Sequence, residues 1–159
     1  MAEPPSRNSA SVVLANLGKL LPDLEPLYKD IHAHPELSMH ETRTAGIAAD
    51  RLRKAGYEVT PGVGKTGVVG LLRNGEGPTV MLRADMDALP IAENTGLPYA
   101  SKISAKDAEG NTVPVGHMCG HDMLSALRLA RRTISQQEAL HTRGKKGQLV
   151  IYTGILPVI

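Results

Sequence analysis

The sequence contains no phenylalanine and no tryptophan, and only four of its 159 residues are tyrosine. Any hydrophobic core must therefore be built mainly from Leu, Val, Ile, Ala and Met side chains. Hydrophobic residues still make up 42% of the chain, which excludes a protein that is disordered by composition. The length is sufficient for one domain with a substantial core.

Cysteine and long apolar runs are also scarce. The one cysteine, Cys119, excludes an internal disulfide. No apolar run approaches the ~18 residues of a membrane helix, and the first ten residues are polar and proline-rich, without the apolar segment of a signal peptide. We therefore expect residues 1–10 to be a flexible tail on a cytoplasmic protein with no membrane partner.

Charge is nearly balanced over the whole chain, with a formal net charge of +2, but residues 125–147 contain six basic residues and one acidic residue. A basic stretch can bind nucleic acid or an acidic surface. This one lacks interleaved aromatic residues and any recognised nucleic-acid motif. A solvated or poorly folded helix is the favoured interpretation, and we expect no nucleic-acid partner.

The segment Gly-His-Met-Cys-Gly-His-Asp at residues 116–122 places Cys119 two positions before His121. In an extended or tightly looped segment, residues at this spacing lie on the same side of the chain. Thiolate and imidazole are both zinc ligands, so the pair is a candidate metal site. The competing interpretation is a structural thiol beside a satisfied histidine, and the pair alone does not decide between the two.

A second candidate segment follows the apolar run Thr79–Leu82, which predicts a buried strand. Asp85 and Asp87 come after it, again two positions apart, and Pro90 ends the segment. Ligands of open α/β sheets collect at the carboxyl ends of strands. Carboxylates there can orient a ligating histidine, bind metal or activate water. Alternatively, the two aspartates cap a turn or a helix, and by themselves they favour that interpretation.

The alternation of helical and strand patterns predicts an α/β fold. We expect three helices before the aspartates, over residues 11–21, over a segment that starts at Pro22 and ends near Ile31, and over 40–55 with Gly56 as the stop. We expect strands at 57–60, 67–72, 79–83 and 147–152, with Asn74-Gly75 joining the second and third as a hairpin.

The remaining histidines have weaker support as functional residues. His32 and His34 lie near the end of the second predicted helix, where residues two apart face different directions. A shared metal is therefore not expected from these two alone. His40 and His141 have no supporting pattern and are interpreted as surface residues.

Four ordered segments together resemble the metal-dependent amidohydrolases of the M20 peptidase clan. The resemblance is to the branch that holds hippurate hydrolases, N-acyl-amino-acid amidohydrolases and auxin-conjugate hydrolases. It extends over about residues 24–123 and is concentrated in Ile-His-Ala-His-Pro-Glu-Leu-Ser-Met-His-Glu-Thr at 31–42, Lys-Thr-Gly-Val-Val at 65–69, Arg-Ala-Asp-Met-Asp-Ala-Leu-Pro at 83–90 and His-Met-Cys-Gly-His-Asp at 117–122.

The resemblance implies the N-terminal part of a zinc-peptidase-like α/β/α catalytic domain, without the lid and dimerisation domain. It implies that Cys119 and His121 are metal ligands, and that Asp87, with Asp85 as the second candidate, supports a metal cluster that holds two divalent ions in an intact family site. The cofactor would be Zn, Mn or Co, and the substrate a small N-acyl amino acid or similar amide. His32 and His34 would have a structural role.

The sequence departs from the family pattern after Asp122. The family continues with a small residue or Met and then another His, whereas Met123 is followed here by Leu124. The strand at 147–152 would lead into a Pro-Ala-Glu-Glu segment that supplies the general base and a further ligand. Instead the chain ends with residues 153–159 and has no Asp or Glu after Glu138.

These departures define the expected domain organisation and the alternatives to an active enzyme. We expect residues 11–159 to be an incomplete catalytic domain with divergent residues 124–159, and we expect weak activity or none. One alternative is a catalytically silent truncated product or an inactive partner of a full-length paralogue. The other is a small metal-binding or redox module built on Cys119, which would require an exposed thiol of low pKa.

Overall fold

The computed structural model describes residues 17–123 and 147–154 of the chain. In these described ranges it contains the helices α1 (Leu17–Ala33) and α2 (Thr42–Lys54), helical residues at 121–123, and six strands. The strands are β1 (Glu58–Val63), β2 (Gly67–Asn74), β3 (Thr79–Ala84), β4 (Ser104–Lys106), β5 (Thr112–Pro114) and β6 (Gly147–Thr153). The predicted tail at 1–10, the first part of the helix predicted at 11–21, the basic segment after Met123 and residues 155–159 lie outside the described ranges.

Helix α1 continues through both of its prolines, so the prediction of a new helix starting at Pro22 was wrong. Pro22 and Pro26 lie on the exposed face. The opposite face buries Leu24, Leu27 and Ile31, and Ile31 is fully buried. Because proline removes a backbone hydrogen bond and disturbs the preceding turn, burial of this apolar face is what holds the helix together across the two positions.

Helix α2 is capped from a distance by Glu36. The Glu36 carboxylate accepts hydrogen bonds from the backbone N–H groups of Arg43 and Thr44, each at 2.8 Å, and from Thr44 Oγ1 at 2.9 Å. An acidic group at this end complements the helix dipole as well as the unpaired donors of the first turn. At the other end the chain turns at Gly56, which has φ 69°. The predicted helix and its stop are therefore confirmed.

The main sheet has the order β1-β2-β6-β3. Strands β1 and β2 form an antiparallel hairpin, β6 pairs antiparallel with β2, and β3 pairs parallel with β6. The predicted hairpin between the strands at 67–72 and 79–83 was wrong, because β6 lies between them. Asn74-Gly75 begins the connection from β2 to β3, which lie two positions apart in the sheet. A short antiparallel pair, β4 and β5, forms a separate sheet.

The prediction of a buried strand at 79–82 was also wrong. In β3, Val80 is 54% exposed and Met81 is 60% exposed. Strand β3 is the outer strand of the described sheet, with β6 on one side, so its apolar residues are not enclosed as those of an inner strand would be.

The core lies where α1 and α2 pack on the sheet, and it is mainly aliphatic, as the composition requires. Its buried members are Leu27, Ile31, Ala48, Ala49, Leu52, Ala55, Tyr57, Val68, Met86 and Ile151. Leu52 packs tightly over β2 at Gly70, where an added Cβ would approach the Leu52 methyl carbons at 3.1 and 3.2 Å. A residue without a side chain at this position therefore sets the close approach of α2 to the sheet.

Candidate metal site at the carboxyl end of strand β3

The two candidate segments lie side by side. Strand β3 ends at Ala84, and the chain then passes through Asp85 and Asp87 to Leu89. Leu89 and Gly116 exchange two backbone hydrogen bonds, each at 3.0 Å. This antiparallel bridge places residues 116–122 against the end of β3, although about thirty residues separate the two segments in sequence.

His121 is held in one orientation by Asp87. The His121 Nδ1 atom lies 2.9 Å from Asp87 Oδ1 and 3.0 Å from the Asp87 backbone oxygen. Both partners are acceptors, so Nδ1 bears the hydrogen, and in the neutral ring Nε2 has the free lone pair. A histidine whose far nitrogen is fixed by a carboxylate in this way is the usual form of a metal-ligating histidine. The side chains of His121 and Asp87 are 21% and 15% exposed, so a partner can still reach the ring.

Cys119 lies in the same loop and its thiol is free and exposed. Gly120 separates it from His121 and has φ 75°, a left-handed conformation that a residue with a side chain rarely adopts. The backbone therefore turns sharply between the two candidate ligands. A lone exposed cysteine does not define a metal site. Cys119 is a candidate ligand because the oriented His121 lies two residues away.

The two aspartates are not equivalent in the structure. Asp87 contacts His121, whereas Asp85 accepts a hydrogen bond from Arg83 Nη2 at 2.6 Å. Asp85 is therefore held by its own strand end. The structure brings Asp87 together with the candidate ligand His121, and it does not show that contact for Asp85.

A buried network behind the site was not predicted. His32, in the last turn of α1, lies 2.6 Å from Asp122 Oδ2 through Nδ1 and 3.0 Å from Glu93 Oε1 through Nε2. The three side chains are 7%, 2% and 0% exposed. A neutral imidazole has only one N–H, so two carboxylate partners favour the protonated ring. His34, by contrast, has an exposed side chain beside Asp30.

The pKa values of this network follow from its contacts. Burial alone would lower the pKa of His32, but the hydrogen bonds to Glu93 and Asp122 outweigh it, and the pKa is raised. Burial would raise the pKa of Glu93, yet hydrogen bonds from His32, Thr95 and the Ser101 backbone lower it to about 2. Both shifts favour the charged forms, an imidazolium at His32 and a carboxylate at Glu93.

His117 is the second buried histidine of this region, at 5% exposure. Its ring centre lies 6.4 Å from that of His32. Among the described residues neither of its ring nitrogens has a hydrogen-bond partner. Burial lowers the pKa of His117, which favours the neutral ring.

Cys119 and His121 have the donor chemistry for two positions of a divalent metal site, and Asp87 supplies the outer support. Within residues 17–123 and 147–154, no group of three or more His, Cys, Asp or Glu side chains is arranged to hold a metal ion. The donor types therefore fit part of a site, and further ligands would have to come from elsewhere than the described residues.

Sequence reasoning proposed the loop and Asp87 as site residues, which stays a prediction, and it gave no sign of the contacts that Glu93 and His32 make. The expectation of a structural role for His32 fits its burial, but no sequence signal connects it to partners 61 and 90 residues away. His32 does belong to one of the segments on which the family resemblance rests, and that was the available hint.

Comparison with known proteins relates this chain to hydrolases. The chain is 43% identical over 117 residues to hippurate hydrolase of Campylobacter jejuni, a match that covers 72% of this chain and 28% of that protein. It is 37% identical over 131 residues to N-acetyl-L-cysteine deacetylase of Bacillus subtilis, covering 82% of this chain and 29% of the relative. No family model matches the chain.

A solved structure gives the same relationship in three dimensions. The YxeP protein of Bacillus subtilis, described as a dinuclear metal-binding peptidase of the M20 family, superposes with a TM-score of 0.71 and 31% identity. The match covers 86% of this chain and 35% of that one. The chain belongs to the M20 amidohydrolase family, a family of enzymes that hydrolyse amide or peptide bonds, and it spans about a third of the length of these relatives.

The described helices include none that is both long enough and apolar enough to cross a membrane.

Proposed function

We propose that this chain forms part of the metal site of an amidohydrolase that cleaves the amide bond of N-acyl amino acids or similar small amides. The observation on which the proposal rests is the fixed orientation of His121, whose Nδ1 is held by Asp87, with the free, exposed thiol of Cys119 two residues earlier in the chain. The names of two relatives support the substrate class, since hippurate and N-acetyl-L-cysteine are both N-acyl amino acids.

In this proposal Cys119 and His121 are ligands of a divalent metal, with Zn, Mn or Co as the candidates. A thiolate beside an imidazole favours these borderline metals over Mg or Ca, which prefer oxygen ligands. A bound metal pair would supply a Lewis acid for the amide carbonyl and lower the pKa of the attacking water.

The protein's own contribution lies in orientation and charge. Asp87 keeps the hydrogen on His121 Nδ1 and raises the basicity of Nε2. The Cys119 thiolate lowers the net charge of the site. Asp85, engaged with Arg83, is proposed to shape the end of β3 and not to touch the reacting atoms.

We also propose that the 159 residues alone hydrolyse N-acyl amino acids weakly or not at all. Catalytic sites of this kind use three protein ligands and a general base, and the described residues offer two ligands. This also supports the second candidate, a catalytically silent form or an inactive partner of a full-length relative. A cytoplasmic location is part of the same proposal.

The test combines metal content and turnover on one purified sample of the 159-residue chain. Zn, Mn or Co is added, and hydrolysis is measured on a panel that includes N-benzoylglycine and N-acetyl-cysteine. We expect metal binding that is lost in Cys119→Ala and retained in Met118→Ala, a matched control because Met118 is an exposed neighbour in the same loop. Unchanged metal binding in Cys119→Ala would contradict the ligand assignment, and clear turnover would contradict the proposed inactivity.

A further inference from the structure

The loop that holds Cys119 and His121 is fixed at two consecutive residues by two different parts of the fold. His121 is held by Asp87 from the end of β3. Asp122, the next residue, is held by His32 from the last turn of α1 at 2.6 Å. Two contacts on adjacent residues define both the position and the rotation of this stretch of backbone, which one contact could not do.

The second contact has a rigid base. His32 is fixed on its other nitrogen by Glu93. Glu93 in turn accepts hydrogen bonds from Thr95 Oγ1 at 2.5 Å and from the Ser101 backbone N–H at 2.6 Å. Since the side chains of His32, Asp122 and Glu93 are almost fully buried, water does not replace the contacts between them easily.

We propose that His32 is a positioning residue for the metal site, because its Nδ1–H holds Asp122 and thereby holds Cys119 and His121 at the correct distance and orientation for one metal ion. This rests on the proposed function of the Cys119–His121 pair. The Nε2 contact with Glu93 serves to anchor the ring, so the two nitrogens of His32 have different consequences for the site.

The two nitrogens can be separated by substitution. His32→Asn retains a donor near the position of Nδ1, which can still bind Asp122, and His32→Gln retains one near Nε2, which can still bind Glu93. Each variant loses one of the two buried contacts of His32. If His32 had a purely structural role, the two variants should therefore have similar metal affinity. His34→Asn is the control, because His34 lies two residues further along with an exposed side chain.

The full-length chain is titrated with Co²⁺, and its affinity and thiolate-to-cobalt absorption band are measured. We expect His32→Asn and His34→Asn to bind within about 3-fold of the unsubstituted chain. We expect His32→Gln to bind about 10- to 100-fold more weakly, with a diminished band, the range found when support of a ligating group is lost. Equal affinity in the two His32 variants would overturn the proposal.

Backbone hydrogen exchange of residues 118–122 provides a readout without metal. We expect faster exchange in His32→Gln than in His32→Asn, and equal exchange would overturn the proposal. If the unsubstituted chain binds no Co²⁺, the proposed function fails, and hydrogen exchange still decides whether His32 positions the loop.

A second pair of variants covers the case in which His32→Gln does not fold. Glu93→Gln removes the charge of the anchor but leaves the contact between His32 and Asp122 in place, so Co²⁺ affinity should be retained. Asp122→Ala removes that contact, so the affinity should fall. The reverse order would contradict the inference.

Discussion

The contact between Asp87 and His121 leads to a quantitative prediction about metal affinity. His121 Nδ1 shares its hydrogen between Asp87 Oδ1 at 2.9 Å and the Asp87 backbone oxygen at 3.0 Å. Asp87→Asn retains an acceptor but removes its charge, and Asp87→Ala removes the side-chain acceptor entirely. In both variants the backbone oxygen remains, so the ring keeps its tautomer but loses part of its support.

The expected size of the effect follows from that partial loss. Removal of a group that supports a metal ligand weakens binding by about 10- to 100-fold. Since the backbone oxygen still accepts the Nδ1 hydrogen, we expect Asp87→Asn near the lower limit, about 10-fold or ~1.4 kcal/mol. Asp87→Ala should lie closer to the upper limit.

The assay is competitive Co²⁺ titration of the full-length chain, with circular dichroism to confirm that each variant is folded. Asp85→Asn is the matched control, because Asp85 lies at the same strand end but is bonded to Arg83. We expect its affinity to stay within about 3-fold of the original. If folded Asp87→Ala bound Co²⁺ as tightly as the unsubstituted chain, the orienting role of Asp87 would be refuted.

Four further predictions concern stability. Ile31→Ala, at a fully buried position, should lower the free energy of unfolding in urea by about 2–5 kcal/mol, and a loss below 1 kcal/mol would contradict the position of the core. Gly67→Ala should destabilise by about 1–3 kcal/mol, because its Cβ would overlap the Val63 carbonyl oxygen. Gly46→Ala, in the middle of α2 with open space around it, should instead stabilise by about 0.5–1 kcal/mol. A pH series tests the buried network, because the pKa of Glu93 is lowered to about 2 in the folded protein. Its carboxylate therefore adds to the free energy of unfolding above the unfolded pKa of about 4.5, and this contribution is lost as the pH falls toward 2. The raised pKa of His32 contributes stability below its unfolded value of about 6.5 that is lost as the pH rises through the folded value. The network should thus add most to the free energy of unfolding between these two unfolded pKa values. Glu93→Gln should flatten the acid side of the plot of unfolding free energy against pH, and an unchanged plot would contradict the role given to Glu93.

The sequence alone determined those features that depend on local patterns. The spacing of apolar residues and the glycine stop predicted α2, and the apolar runs located the four strands of the main sheet but not β4 and β5. The family motifs identified residues 116–122 and the aspartates after β3. These patterns are local, because a residue type and its immediate neighbours are enough to mark a candidate ligand or a helix end.

The tertiary structure decided which distant groups meet. It placed β6 between β2 and β3, which no turn signal could show, because sheet order depends on long-range pairing. It left β3 exposed at the edge and joined His32 to Glu93 and Asp122. It also distinguished Asp87, which contacts His121, from Asp85, which bonds to Arg83, although the two share one sequence pattern. These outcomes depend on packing and on the direction of each side chain, and residue order specifies those only through the whole fold.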